Sequence, residues 1–382
     1  MSTVENVENV GPRVTDELVV TEVTAIPILV PRKLAMIASQ GTVTASEFGL
    51  VRIATDAGLV GWGEISMSWG RVGRSLVHDV ERYLGPALAG ANALDIQGCV
   101  LRLAHAMEGG EAAKSGLDNA LFDLAGKALG VPAYQLLGGR AREAVPVAWA
   151  IPWGEPGETA ERAAWAVGEG FRTVKLKVGR PGTKDREAVA AVRAAVGDEI
   201  EIKVDANCAY TSAIEALRAL RPLEEYRLQL IEQPLPGRDL DELALLRSRL
   251  EVPLLTDESS ATLRDIGEII RRGAADVLNI YVNEAGGLVG AYKMFAAGEA
   301  AGLTGLIGSQ CELGLGTAAA AHLGVAVSNL AYESDLVGPL RYPRDIVVDP
   351  PAIVEGLLYP PSGPGLGVTI DDDAVEAFRI DR

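Results

Sequence analysis

Four short stretches decide the fold: RTVKLKV at 172–178, EIEIKVDAN at 199–207, LQLIEQP at 228–234 and PLLTDES at 253–259. Each is a strand-like run followed by a segment of helical periodicity, at 185–196, 211–226, 239–250 and 262–273 in turn. The alternation extends outward in both directions. Upstream, VPVAWAI at 145–151 precedes a helical stretch at 158–170. Downstream, VLNIYV at 277–282 and LTGLIGS at 303–309 lead into helices at 287–302 and 314–327, and LAYESDL at 330–336 closes the series. Eight such units are the sequence form of an α/β, (β/α)8 barrel, with a doubly wound open sheet as the alternative.

The flanks read differently. LVVTEVTAIPI, FGLVRIATD and GLVGWGE, all between Leu18 and Ser68, form an antiparallel meander with Asp56-Ala57-Gly58 as a hairpin turn. Helical periodicity from Ser75 to Leu137 then ends at the Gly138-Gly139 breaker. An α+β capping domain is expected over 17–140 and the catalytic barrel over 141–343. The Pro- and Gly-rich tail, 344–382, is no ninth unit and is expected to pack back on the capping domain. Residues 1–16 are polar and acidic, with no apolar run behind basic residues, and read as a frayed, disordered leader rather than a signal peptide.

The 382 residues are 48% hydrophobic and 23% charged, enough for a large core. A formal charge of −17 argues against nucleic acid and against an anionic membrane surface as partners. Cys99, Cys208 and Cys311 lie far apart with no CxxC pair, which suggests neither a disulfide framework nor a thiolate zinc site. No apolar run reaches the length of a membrane span. A reducing cytoplasm suits all of this.

In a (β/α)8 barrel the C-terminal end of each strand faces the active site. The second run ends with Lys175 and Lys177, which point the same way at period two. The third ends with Asp205 and Asn207, the fourth with Glu232 and Gln233, the fifth with Asp257 and Glu258, and the seventh with Ser309, Gln310 and Glu312. Any one of these acids is equally a cap for the next helix. Asp205, Glu232 and Asp257 together, at equivalent positions of successive units, converge on one side of the mouth. Three carboxylates that close repel one another, and oxygen-only ligands point to Mg²⁺, with Mn²⁺ as a substitute. Lys175 and Lys177 lie across from them. As a solvated face the pair means nothing, but Val174, Leu176 and Val178 point to a strand buried on both sides. Burial, a like-charged neighbour and the metal are then expected to lower a lysine pKa towards ~7–8, where it serves as a base.

The chain resembles the enolase superfamily and, within it, the muconate lactonizing enzyme (muconate cycloisomerase) subgroup of the mandelate racemase/muconate lactonizing enzyme family. The resemblance rests on GWGE at 61–64, LDNALFDLAGKALGVPAYQLLGG at 117–139, KLK at 175–177, VDAN at 204–207, IEQP at 231–234 and TDES at 256–259. It implies Asp205, Glu232 and Asp257 as Mg²⁺ ligands, Lys177 as the base that takes a proton α to a substrate carboxylate, and Lys175 as the residue that tunes it. It also implies a small-molecule carboxylate substrate and a homo-oligomer. Asn207, Glu258, Ser309, Gln310 and Glu312 are candidate substrate contacts, Glu312 acting with the N-terminus of the helix at Gly314.

The sequence departs from the subgroup at the sixth run. The family pattern carries a lysine where Tyr281 stands and a second, downstream lysine where Glu284 stands. One competent base on one face suits a one-sided reaction, a syn elimination or a cycloisomerisation. Epimerisation, with Tyr281 as the second acid/base, is the alternative. His78, His105 and His322 fall at no strand end, and His322 reads as a hydrogen-bonded core residue. Two rival readings are weaker. The run at 314–319 matches GxGxxA but lacks a doubly wound surround. A binding or regulatory protein that keeps the metal without turnover has only the lost lysine in its favour. Loops at 32–42 and 66–75, with Arg32, Lys33, Trp69, Arg71 and Arg74, are expected to cap the mouth, and Arg32 and Trp69 are candidate contacts for the substrate.

Overall fold

The structure is a computed structural model that describes residues 17–38, 41–67, 73–180 and 182–381; the expected leader lies outside them. The chain opens with the antiparallel meander β1 (Val20–Ala38), β2 (Gly41–Thr55) and β3 (Val60–Ser66). The β2–β3 turn forms where the sequence places it. Thr55 N–H donates to Leu59 O at 3.1 Å, and Gly58 takes the left-handed φ of +75° that its lack of a Cβ permits. The helix Glu111–Leu129 packs on this meander. The glycines of GWGE let it approach: a Cβ on Gly63 would lie 1.9 Å from Gly116 O, and one on Gly61 2.3 Å from Ala120 O.

The expected first barrel run splits in two. β4 (Val145–Pro146) pairs antiparallel with the tail, where β12 (Ile353–Val354) and β13 (Leu357–Leu358) extend it into a small sheet; only β5 (Trp149–Ile151) enters the barrel. β6 (Thr173–Lys177), β7 (Glu201–Asp205), β8 (Leu230–Glu232), β9 (Leu254–Thr256), β10 (Val277–Ile280) and β11 (Thr304–Ile307) follow. From β5 to β11 they lie side by side in sequence order, every pair parallel. That order excludes a doubly wound sheet, in which the order reverses at a switch point.

The eighth run makes no regular strand. Leu330 bridges Gly305 and Ser334 bridges Val147. Asp335 N–H donates to Ile307 O and Ala148 N–H to Ser334 O, both at 2.9 Å, so the segment ties the last strand to the first. Between these bridges the Glu333 carbonyl accepts from Lys203 Nζ.

Leu230, Leu255, Val277 and Leu306 form a small apolar cluster of their own inside the ring. The larger core fills the space between strands and helices, and the capping domain has a third, with Val51, Ile53, Leu117 and Leu121. The two parts are joined by polar contacts as well. Asp118 Oδ2 accepts from Leu288 N–H at 2.6 Å, at the start of the barrel helix Leu288–Ala300. In the tail, Ile380 N–H donates to Pro27 O at 3.1 Å and Leu366 N–H to Asp123 Oδ1 at 2.9 Å. No helix among the described residues is long and apolar enough to cross a membrane.

Candidate active site

Strand register aligns Lys177 with Asp205 and Asp205 with Glu232. Asp205, Glu232 and Asp257, one per successive strand end, each place a carboxylate oxygen within 4.8 Å of the others, and all three are buried. The backbone around them is strained. Asn207, Cys208, Gln233 and Cys311 take φ of 42°, 60°, 33° and 56°, a cost of about 1 kcal/mol or more each that the surroundings must offset. Gln233 supplies part of that support. Its Oε1 accepts from Asp257 N–H at 2.7 Å and Ser259 N–H at 3.3 Å, while its Nε2 donates to Ser259 Oγ at 2.8 Å and Leu235 O at 2.7 Å. It thus locks the end of β8 to the loop after β9.

Lys177 Nζ donates to Asp205 Oδ2 and to Asn207 Oδ1, both at 2.6 Å. Lys175 Nζ lies 3.2 Å from both oxygens of Glu232, 3.7 Å from Asp205 Oδ2, and in hydrogen-bond contact with Asp335. The expected lowering of a lysine pKa counts a bound metal among its causes; among the carboxylates alone the balance runs the other way. Burial pushes both down, but the carboxylates outweigh it, chiefly Asp335 for Lys175 and Asp205 for Lys177, and both stand above the ordinary range. The carboxylates show the complement. Burial pushes Asp205 up, yet Lys177 and Lys175 hold it below the usual value. Burial, reinforced by neighbouring acids, drives Glu232 up to about 8 and Asp257 well above its ordinary value. A buried, oxygen-only set that repels itself in this way fits a hard divalent cation.

Tyr281 Oη, from the residue just past β10, donates to Asp257 Oδ2 at 3.2 Å and lies 3.5 Å from Asn279 Nδ2. Burial and then the neighbouring Asp257 and Glu232 push its pKa up. The rim carries the remaining candidates. Asn207 Nδ2 donates to Glu258 Oε1 at 3.3 Å, Ser309 Oγ to Glu312 Oε2 at 2.5 Å, Gln310 N–H to Glu312 Oε1 at 2.8 Å and Gln310 Nε2 to Glu284 Oε1 at 2.8 Å.

Three expectations change. The N-terminus of the helix Gly314–Ala326 is not open to a substrate, because Asp345 accepts from Gly314 N–H and Glu64 from Leu313 and Gly316 N–H. Residues 32–38 extend β1 rather than forming a loop; Arg32, half-buried, donates to Ser46 Oγ at 2.9 Å and Tyr342 OH at 3.1 Å. Arg74 is engaged with Ile380 O in the tail. Trp69 and Arg71 lie outside the described residues. His322 is the core residue expected, wholly buried with Nε2 3.2 Å from Leu366 O.

Sequence reading missed Asp335, Asn279 and Lys203. Asp335 ends the eighth run and was readable by the same strand-end rule. Asn279 and Lys203 sit at inward positions two residues before Tyr281 and Asp205, a signal that period-two counting carries.

Residues 20–138 match the model of the mandelate racemase / muconate lactonizing enzyme N-terminal domain, and residues 158–374 that of the enolase C-terminal domain-like family. The N-succinyl-L-Arg/Lys racemase of Bacillus cereus is 32% identical over 94% of this chain and 98% of its own. Muconate cycloisomerase 1 of Rhodococcus opacus is also 32% identical, over 94% and 96%. The muconate lactonizing enzyme of Pseudomonas fluorescens, solved with muconolactone, superposes with a TM-score of 0.91 at 31% identity, covering 95% of this chain and all of that one. The chain is therefore an enzyme of the isomerase and lyase type, and it belongs to the mandelate racemase/muconate lactonizing enzyme family of the enolase superfamily.

Proposed function

We propose that this enzyme removes the proton α to a substrate carboxylate with Lys177 and completes a one-sided reaction, a syn elimination such as dehydration of a β-hydroxy acid, or a cycloisomerisation. The observation that carries the reading is Tyr281. The residue across from the lysines is a buried phenol that donates a hydrogen bond to Asp257, and not the second lysine that a two-base reaction would use.

Asp205, Glu232 and Asp257 would hold Mg²⁺ or Mn²⁺. When bound, the ion supplies positive charge that stabilises the enediolate form of the substrate carboxylate. A cation among the carboxylates also offsets the charges that now keep Lys177 protonated, and burial beside Lys175 then favours its neutral, basic form. Asn207 accepts from Lys177 and fixes its direction; Asn279 and Tyr281 orient the metal-side carboxylates Glu232 and Asp257.

A second reading, epimerisation, is favoured by one observation: a racemase is among the relatives, matching over 94% of this chain. It requires Tyr281 to deliver a proton to the face opposite Lys177. The test is incubation with Mg²⁺ in D₂O of β-hydroxy acids, muconate-like diacids, N-acyl amino acids and dipeptides, followed by NMR, with EDTA and Lys177→Ala as controls. Metal-dependent deuterium uptake with retention or elimination supports the one-sided reaction, and inversion replaces it with epimerisation.

A further inference from the structure

We propose that a small cavity behind Glu312 binds one dehydrated monovalent cation of about the size of a water molecule, potassium or ammonium. The cavity is walled by Glu64 and Ser66 of β3, Ser115 and Asn119 of the helix Glu111–Leu129, and Asn283 and Glu312 from loops at the barrel mouth. All six are buried. Its volume of about 10 Å³ accommodates roughly one water-sized occupant.

Val282, Gly308, Gly316 and Ala320 complete the lining, and the polar atoms it leaves unpartnered are oxygens. Ser115 Oγ, Asn119 Oδ1 and Asn283 Oδ1 are buried without a hydrogen-bond partner. Asn283 is oriented by its Nδ2, which donates to Ser66 O at 2.7 Å, so it is the oxygen that stays unmatched. Two carboxylates complete the set. Glu64 accepts Leu313 N–H at 2.9 Å and Gly316 N–H at 2.8 Å; Glu312 accepts from Ser309 Oγ and Gln310 N–H. They are close neighbours, since a Cβ on Gly316 would lie 3.0 Å from Glu312 Cγ and 3.1 Å from Glu64 Cδ. Among the described residues no lysine, arginine or histidine lines the cavity.

The balance of charge and hydrogen bonding selects the occupant. A proton on Glu64 alone neutralises one carboxylate and leaves three oxygens unmatched. A water alone satisfies the three oxygens and leaves two buried carboxylates with dipolar partners only, which is costly. One cation coordinates the three oxygens and at the same time offsets one of the two carboxylate charges. Mg²⁺ retains several waters, for which there is no room. The ion would join Glu64, Ser115 and Asn119 of the capping domain to Asn283 and Glu312 of the barrel, fixing the loop that carries Ser309 and Gln310.

The test needs no substrate. Crystals of the full chain grown in rubidium chloride, measured at the rubidium edge, are expected to show an anomalous peak among Glu64, Asn119 and Asn283. In solution, with Mg²⁺ constant, potassium, rubidium and ammonium chlorides are expected to raise the Tm along a single-site saturation curve. Tetramethylammonium chloride at the same ionic strength is expected not to. Ser115→Ala, a mild change that removes one ligand, is expected to move the midpoint to higher ion concentration. Ordered density without anomalous signal, with identical melting in all four salts, overturns the proposal; the cavity then holds a water beside a protonated Glu64.

Discussion

Tyr281 Oη lies 3.2 Å from Asp257 Oδ2, and Gly308 leaves the room for its ring: a Cβ there would sit 2.3 Å from Tyr281 Cε2. The phenol is thus held by packing and by one hydrogen bond to a carboxylate, an interaction worth about 1.5–3 kcal/mol. Tyr281→Phe is expected to slow Lys177-dependent proton exchange by roughly 10- to 100-fold, the rate equivalent of that energy, with no change in which substrate face exchanges. Stereospecific deuterium uptake followed by NMR checks this. Loss of exchange on one face only would make Tyr281 an acid/base group.

Lys177 is the only lysine within hydrogen-bond distance of Asn207 among the described residues, and its Nζ also neutralises Asp205. Lys177→Ala is expected to lower α-proton exchange by at least 10²–10⁴-fold, the range of general-base catalysis. Metal affinity should persist or rise, because a cation competing for Asp205 is gone. Titration with Mn²⁺ followed by electron paramagnetic resonance measures the second effect separately from the first. Parallel loss of metal binding would mean that Lys177 holds the site together instead of acting in it.

Asp257 differs from its two companions in having no lysine within ion-pair distance among the described residues. Burial and the acids Glu258, Glu232 and Asp205 all push its carboxyl towards the neutral form. Asp257→Asn relieves that repulsion. It is expected to raise the Tm of the metal-free enzyme and to reduce the further rise produced by Mg²⁺, both read by calorimetry. An unchanged Mg²⁺ response in Asp257→Asn would remove Asp257 from the ligand set.

The barrel was legible because its units repeat, and the carboxylates because they recur at one position of that repeat. Period two placed Lys175 and Lys177 on the inside together. What stayed hidden depends on long-range partners. In the eighth unit, which makes no regular strand, the Glu333 carbonyl accepts from Lys203, a residue 130 positions away. The direction of the Lys175 shift turned first on Asp335, whose contact with Lys175 spans 160 positions and follows from ring closure. Glu64 read only as the end of the meander run GLVGWGE; that it caps a barrel helix across the domain boundary needed the fold.

His322 gives a pH dependence with a definite sign. It is wholly buried, with the Leu366 carbonyl 3.2 Å from Nε2, and burial pushes its pKa from 6.5 down to about 4. The unfolded chain therefore binds a proton between those values that the folded chain refuses. The stability from a neutral His322 is fully present above about pH 6.5 and is lost as the pH falls towards 4. At pH 5 the loss is about 2 kcal/mol, taking about 1.4 kcal/mol per unit. His322→Gln keeps a hydrogen-bonding group and removes the titration. Urea denaturation at pH 7.5 and pH 5 is expected to give a wild-type stability that falls by about 2 kcal/mol more than that of the variant over this interval. Equal falls in the two proteins would show that His322 takes up its proton without unfolding, through a local opening of the tail segment around Leu366.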